Sequence, residues 1–167
     1  MLPKMLREFS AGGVVVRPAP NGWELAVIQP QDEGSVEQSD KKRHKEVLAL
    51  PKGLIDPGEK PIETALREVR EETGISAKML GKLTDIKYVY VRSWGDKQRV
   101  FKVVSFYLLL YESGTIDDIS PEMRIEVKQA RWIPLEGAER QLAYRGEREV
   151  VRLATERLTT LTEEAQP

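Results

Sequence analysis

GLIDPGEKPIETALREVREETGI, residues 53–75, is a loop punctuated by glycine and proline followed by one helix. Pro61 suits a first helical turn and Gly74 marks a stop, so the spacing predicts a helix from Pro61 to about Thr73. Ile62, Ala65, Leu66 and Val69 then share one stripe. At about 100° per residue from Ile62, that stripe centres at about 350°, whereas Glu71, Glu68 and Glu72 fall at about 180°, 240° and 280°. Glu63, Arg67 and Arg70 lie at about 80° to 140°. The helix therefore carries two different polar faces, one of them an arc of three acids that begins at the edge of the buried stripe.

Crowded carboxylates at spacings of three and four repel by roughly a few tenths of a kcal/mol per pair. A hard divalent cation, Mg²⁺ or Mn²⁺, would relieve that repulsion, because such ions select carboxylate and carbonyl oxygens. Gly53 offers a backbone carbonyl at a place where the missing side chain allows close approach. Taken alone, an acidic cluster of this spacing is more often a plain charged helix surface.

Outward from the helix, Gly12 to Val16 reads as a β-branched strand whose partner is Trp23 to Gln29. Pro30 to Glu46 has almost nothing apolar and reads as an exposed, mobile loop. Val47 to Leu50 is expected as a short apolar strand stopped by Pro51. Tyr88 to Val91 and Val100 to Tyr111 are strand-rich runs joined by the turn-like Ser93-Trp94-Gly95-Asp96, and Ala130 to Ile133 is one more short strand. From about 136 to 162 the periodicity is helical, in a first piece holding Leu142 and a second holding Val150, Val151, Leu153, Ala154, Leu158 and Leu161. Strands outnumber helices in mixed order, which places the chain in the α+β class, as an α/β/α sandwich with a mixed β-sheet packed between helices.

The 167 residues suit a single domain, 1–167, large enough for a real core, and neither a linker nor an internal repeat is visible. No cysteine is present, which excludes disulfides and thiolate metal sites. With no long apolar run or apolar leader, the expected location is cytoplasmic, with no membrane partner. Twenty-six Lys+Arg against 27 Asp+Glu give a net charge of -1, so no overall field favours nucleic acid. Locally the charges separate: Lys87 to Lys102 holds five bases against Asp96 alone, while Glu112 to Glu126 holds five acids and one base. His44, the lone histidine, sits in the polar loop, and Trp23, Trp94 and Trp132 read as packing or turn residues.

The full stretch 53–75 resembles the Nudix box, G-x5-E-x7-R-E-U-x-E-E-x-G-U, with U an apolar residue. Gly53, Glu59, Arg67, Glu68, Val69, Glu71, Glu72, Gly74 and Ile75 all occupy their places, with no departure. The SAGGVVV strand, the PKG lead-in and the RWIPLEGA segment are similar to Nudix domains too, so the resemblance covers roughly residues 8 to 160. It implies a Nudix fold and hydrolysis, with Mg²⁺ or Mn²⁺, of a nucleoside diphosphate linked to another moiety. It also implies Glu68, Glu71, Glu72 and the Gly53 carbonyl as metal ligands, with Arg67 and Glu59 holding loop and helix in register. Glu68 or Glu72 then stands as general base. A fourth acid, competing for that role and adding a metal ligand, is expected at Glu126, with Glu122 as runner-up.

Substrate choice is expected outside the box. Lys52, Arg92, Lys97, Arg99 and Lys102 are candidates for an anionic polyphosphate, although charges on a hairpin also protect an exposed edge. The ALPKG lead-in, the basic hairpin and Tyr88 and Tyr90 resemble the diadenosine and diphosphoinositol polyphosphate branch, in which a tyrosine slightly further past the box is typical. Tyr90 lies 15 residues past Ile75; an aromatic ring there could stack on adenine. Diadenosine tetra- to hexaphosphate is the substrate this resemblance favours. Oxidised or ordinary nucleoside triphosphates, ADP-ribose and capped RNA ends stay open, as do a non-catalytic nucleotide-binding role and the oligomeric state.

Overall fold

The computed structural model describes residues 5–31, 46–92, 95 and 97–165. In chain order these form β1 (Leu6–Ala19), β2 (Gly22–Pro30), β3 (Lys52–Leu54), α1 (Pro61–Thr73), β4 (Ile75–Val91), β5 (Arg99–Gly114), a 3₁₀ turn at Met123–Ile125, β6 (Val127–Pro134), α2 (Ala138–Gln141) and α3 (Arg145–Ala165). The sheet order is β4-β5-β1-β2-β6, with β3 added to β1. β1 runs parallel to β5 and antiparallel to β2 and β3, so the sheet is mixed.

Val14, Val15 and Val16 are all fully buried because their strand is covered on both faces. Val15 packs with Ala65 and Val69 of α1, whereas Val14 and Val16 pack with Val150, Val151, Ala154 and Leu158 of α3. The α/β/α sandwich expected from the sequence is thus the observed architecture.

Several elements differ from expectation. Val47 to Leu50 forms no strand: Leu48 and Ala49 make isolated bridges to Leu142 and Ile28, and the ladder begins only at Lys52. The apolar run reflects burial beneath the α2–α3 connection, which a short run cannot distinguish from strand pairing. β4 begins at Ile75, thirteen residues before the expected Tyr88, and is broken by three register shifts against β5. Those bulges, on a largely exposed edge strand, erase the alternation that would have revealed it. The flanking strands β5 and β6 are likewise a few residues longer than predicted. His44, Trp94 and most of the 30–46 loop lie outside the described residues.

Helix α1 starts at Pro61, and the Glu63 side chain accepts a hydrogen bond from the Lys60 N–H at 2.8 Å. It ends on Gly74 at φ 84°, ψ 0°, whose N–H donates to the Arg70 carbonyl at 2.9 Å. A Cβ at Gly74 would lie 2.6 Å from the Asp118 carbonyl oxygen. Gly74→Ala combines a left-handed backbone with this clash, and is expected to cost about 2–4 kcal/mol. Thermal or urea unfolding checks it, and an unchanged midpoint would contradict the tight α1–β4 corner.

Candidate active site

The box loop is tied to α1 through Arg67. Its guanidinium donates from Nε to Glu59 Oε2 at 2.7 Å and from Nη2 to Glu59 Oε1 at 2.9 Å. Nη2 also donates to the Leu54 carbonyl at 3.1 Å, so one side chain spans β3, the loop and the helix. Glu59 accepts further bonds from the Asp56 N–H and the Thr64 hydroxyl. The Arg67 contact, helped by the Asp56 and Thr64 donors, pulls the Glu59 carboxyl down to about 2. Glu59 and Arg67 therefore meet as the box pattern implies.

Arg67 Nη1 also reaches Glu68 Oε1 at 2.9 Å and Glu71 Oε2 at 3.1 Å. Glu68 lies over β3: a Cβ on Gly53 would come within 2.1 Å of Glu68 Oε1, so any other residue there would displace this carboxylate. Glu72, 7% exposed, accepts the Lys52 backbone N–H at 2.9 Å. Burial, reinforced by the charges of Glu68 and Glu126, pushes Glu72 up to about 8. Burial likewise raises Glu68, with Arg67 opposing and Glu71 and Glu126 adding to the rise. Glu126 is therefore close enough to act on both helix carboxylates; it flanks the 3₁₀ turn, where its carbonyl accepts the Gln31 N–H at 2.9 Å. Glu122, on the other flank of that turn, is exposed.

Among the described residues no three acidic or histidine side chains are gathered as a ready-made metal shell. The donor chemistry nevertheless fits a hard divalent cation. Two partly desolvated carboxylates and a third beside them need positive charge beyond the single Arg67, and every nearby donor is oxygen.

On the opposite side of β3 lies a cleft of about 690 Å³, lined by Lys52, Ile86, Tyr88, Phe106, Tyr144 and Glu147 among others. Its volume suits a nucleoside-sized ligand. Tyr88 (41% exposed) and Tyr144 (49%) are its exposed aromatic residues. Lys52 connects the cleft to the acids: its N–H binds Glu72, while its ammonium donates to Glu147 Oε2 at 2.6 Å and lies 5.2 Å from the Tyr144 ring centre. Burial alone would depress the Lys52 ammonium, but Glu147 outweighs it and holds it above the ordinary lysine range.

The other expected substrate residues are divided. Tyr90 is tied to β1, its hydroxyl donating to Glu8 Oε1 at 2.5 Å. Lys102 shares the α3-side face with Tyr88, its register partner, and lies 4.0 Å from Glu8. Arg99 falls one strand position out of step with Val100 and Lys102, on the α1-side face, and is exposed. Lys97 is exposed at the turn with φ 52°, and the Arg92 N–H donates to the Gln98 carbonyl at 3.0 Å. The basic hairpin is thus not one patch. Its cations belong to both faces and to the turn.

Glu147 and Tyr144 went unforeseen. Glu147 precedes Val150, Val151, Ala154 and Leu158 by three, four, seven and eleven residues, so it occupies the apolar stripe of α3. A carboxylate on a buried stripe was the signal that could have found it.

The chain matches the NUDIX domain family over residues 25–154 and belongs to that family. It is 34% identical over 160 residues to a Mycobacterium tuberculosis (strain CDC 1551 / Oshkosh) protein named as a mutator protein, MutT4, covering 95% of this chain and 58% of that protein. It is 39% identical over 94 residues to the Mus musculus bis(5'-nucleosyl)-tetraphosphatase [asymmetrical], covering 53% of this chain and 56% of that one. The chain therefore spans somewhat more than half the length of these two curated relatives. A C. elegans Ap4A hydrolase binary complex superimposes with a TM-score of 0.66 at 20% identity, covering 92% of this chain and 98% of that chain, a likeness of fold. Among the described residues no helix is long and apolar enough to cross a membrane.

Proposed function

We propose that the chain is a Mg²⁺- or Mn²⁺-dependent pyrophosphohydrolase that cleaves a nucleoside diphosphate linked to another moiety, with a dinucleoside polyphosphate such as diadenosine tetra- to hexaphosphate as its substrate. The carrying observation is Lys52. Its backbone is bound by a carboxylate of the acidic helix and its side chain lines an aromatic cleft, so a site for a ring and a site for cations adjoin across one residue. The similarity to the mouse tetraphosphatase supports the substrate class.

In this reading Glu68, Glu71, Glu72, Glu126 and the Gly53 carbonyl would hold the cation, which would supply charge neutralisation of the polyphosphate and a lower pKa for an attacking water. Arg67 and Glu59 fix the loop so that Gly53 and Glu68 stay in register. Glu68, Glu72 or Glu126 would take the proton from that water before it attacks phosphorus. Tyr88 and Tyr144 receive one base, while the exposed Arg99, on the α1-side face, is a cation for the remainder of the chain of phosphates.

Turnover of a panel tests this: diadenosine polyphosphates, nucleoside triphosphates and ADP-ribose with Mg²⁺. The expected result is a kcat/KM highest for the diadenosine compounds; preference for ADP-ribose or triphosphates would refute the substrate class. Replacing Tyr88 and Tyr144 together by Ala is expected to raise KM about tenfold or more with kcat little changed, since stacking on one base is worth roughly 1–3 kcal/mol. An unchanged KM would remove the cleft from the substrate path.

A further inference from the structure

Glu147 presents a problem that neither folding nor the acidic helix explains: a carboxylate 2% exposed, in the first turn of α3, at the floor of the cleft. Its Oε1 accepts the Leu50 N–H at 2.8 Å and its Oε2 takes the Lys52 ammonium at 2.6 Å. A buried ion pair of this kind gives little net stability, because desolvation offsets the attraction. Its effect on the cleft is larger. Lys52 adjoins the acidic helix, since the Glu72 side chain accepts its backbone N–H. A free ammonium there would be a phosphate anchor, a flexible point charge beside the cations that the helix acids hold. Instead the ammonium is paired with Glu147 and also lies against the Tyr144 ring. At the floor the two charges thereby balance, and Ile86, Val104 and Phe106 beside it are apolar, while Lys87, Arg145 and Glu149 also line the cleft. Such a floor favours an uncharged ring over a phosphate.

We propose that Glu147 is a specificity-determining residue that cancels the charge of Lys52, so that the floor of the cleft accepts the uncharged nucleoside end of a substrate and excludes its phosphates. This rests on the reading of the cleft as the place where substrate binds. The polyphosphate is then left to the acidic face with its cations, and the substrate is held in one direction. Without this cancellation the same cleft would accept either end.

The test is equilibrium binding by calorimetry of adenosine and, separately, of inorganic pyrophosphate, without divalent metal, so that the acidic face offers nothing to an anion. Wild type is expected to bind adenosine and to bind pyrophosphate far more weakly. Glu147→Gln keeps an oxygen for the Leu50 N–H and removes the charge; pyrophosphate is expected to bind about tenfold tighter, and adenosine within about twofold of wild type. A purely structural role would weaken both ligands. Unchanged or weaker pyrophosphate binding to folded Glu147→Gln overturns the proposal while leaving the cleft reading intact. Failure of wild type to bind adenosine overturns both. If the single variant does not fold, the double variant Lys52→Met with Glu147→Gln leaves no unpaired buried charge. It is expected to match wild-type pyrophosphate binding, and clearly weaker binding would show that Lys52 already serves phosphate and refute the cancellation.

Discussion

Turnover is expected to fall by at least about a thousandfold when Glu71 and Glu72 are both replaced by glutamine, since a bound cation supplies several kcal/mol of transition-state stabilisation and each 1.4 kcal/mol is about tenfold. The fold should survive. Glu71 lies at the surface end of the Arg67 network, and glutamine can still accept the bond from its Nη1. At position 72 a glutamine oxygen can accept the Lys52 N–H just as the carboxylate does, and no buried charge is left behind. Circular dichroism and the melting curve report the fold, and initial rates report catalysis. A variant with near-wild-type turnover would remove the acidic helix from the chemistry; a variant that is unfolded would show these acids to be structural.

The second large effect is a pH dependence of stability that a divalent cation should abolish. Glu72 holds its proton to about 8 in the folded chain against an ordinary 4.5, chiefly because it is buried. A carboxyl that binds its proton more tightly when folded stabilises the fold below the unfolded value, and that contribution is lost as the pH rises through the folded value. In cation-free buffer the melting temperature is therefore expected to fall between about pH 5 and pH 8, by about 5 °C or more. Glu68, raised in the same direction, adds to the fall. Mg²⁺ at pH 8 should restore the loss, because positive charge can replace the proton. In Glu72→Gln both the fall and the rescue should shrink. A wild-type melting temperature that is flat over this range, or indifferent to Mg²⁺, would contradict the electrostatic account of the helix.

Much of this architecture was legible because local signals agreed with one another. Pro61, the apolar spacing and Gly74 bracket α1 within the observed Pro61–Thr73, since cap chemistry and periodicity are both local. The same periodicity located α3 and its inner face. Two things were hidden because they depend on partners distant in sequence. The first is β4, whose bulges against β5 break its alternation from Ile75 onward, so that only its last residues looked like a strand. The second is the cleft, which forms where Lys52, Tyr88, Tyr144 and Glu147 are brought together from three separate segments. Composition had suggested a single basic hairpin as the polyphosphate reader. Strand pairing divides it instead, sending Lys102 to the cleft side of the sheet and Arg99 to the other, a consequence of two-residue alternation that charge counting does not register. Glu59, Arg67, Glu68, Glu71, Glu72 and Gly53 were legible together because β3, one loop and one helix, contiguous in sequence, carry them all.

The most direct measurement is the rate of diadenosine tetraphosphate hydrolysis as Mg²⁺ is titrated into metal-free wild-type protein. The account predicts no cleavage in chelator and a saturable rise with added cation. Cleavage that persists at full rate in chelator, or none at any concentration of Mg²⁺ or Mn²⁺, would contradict it.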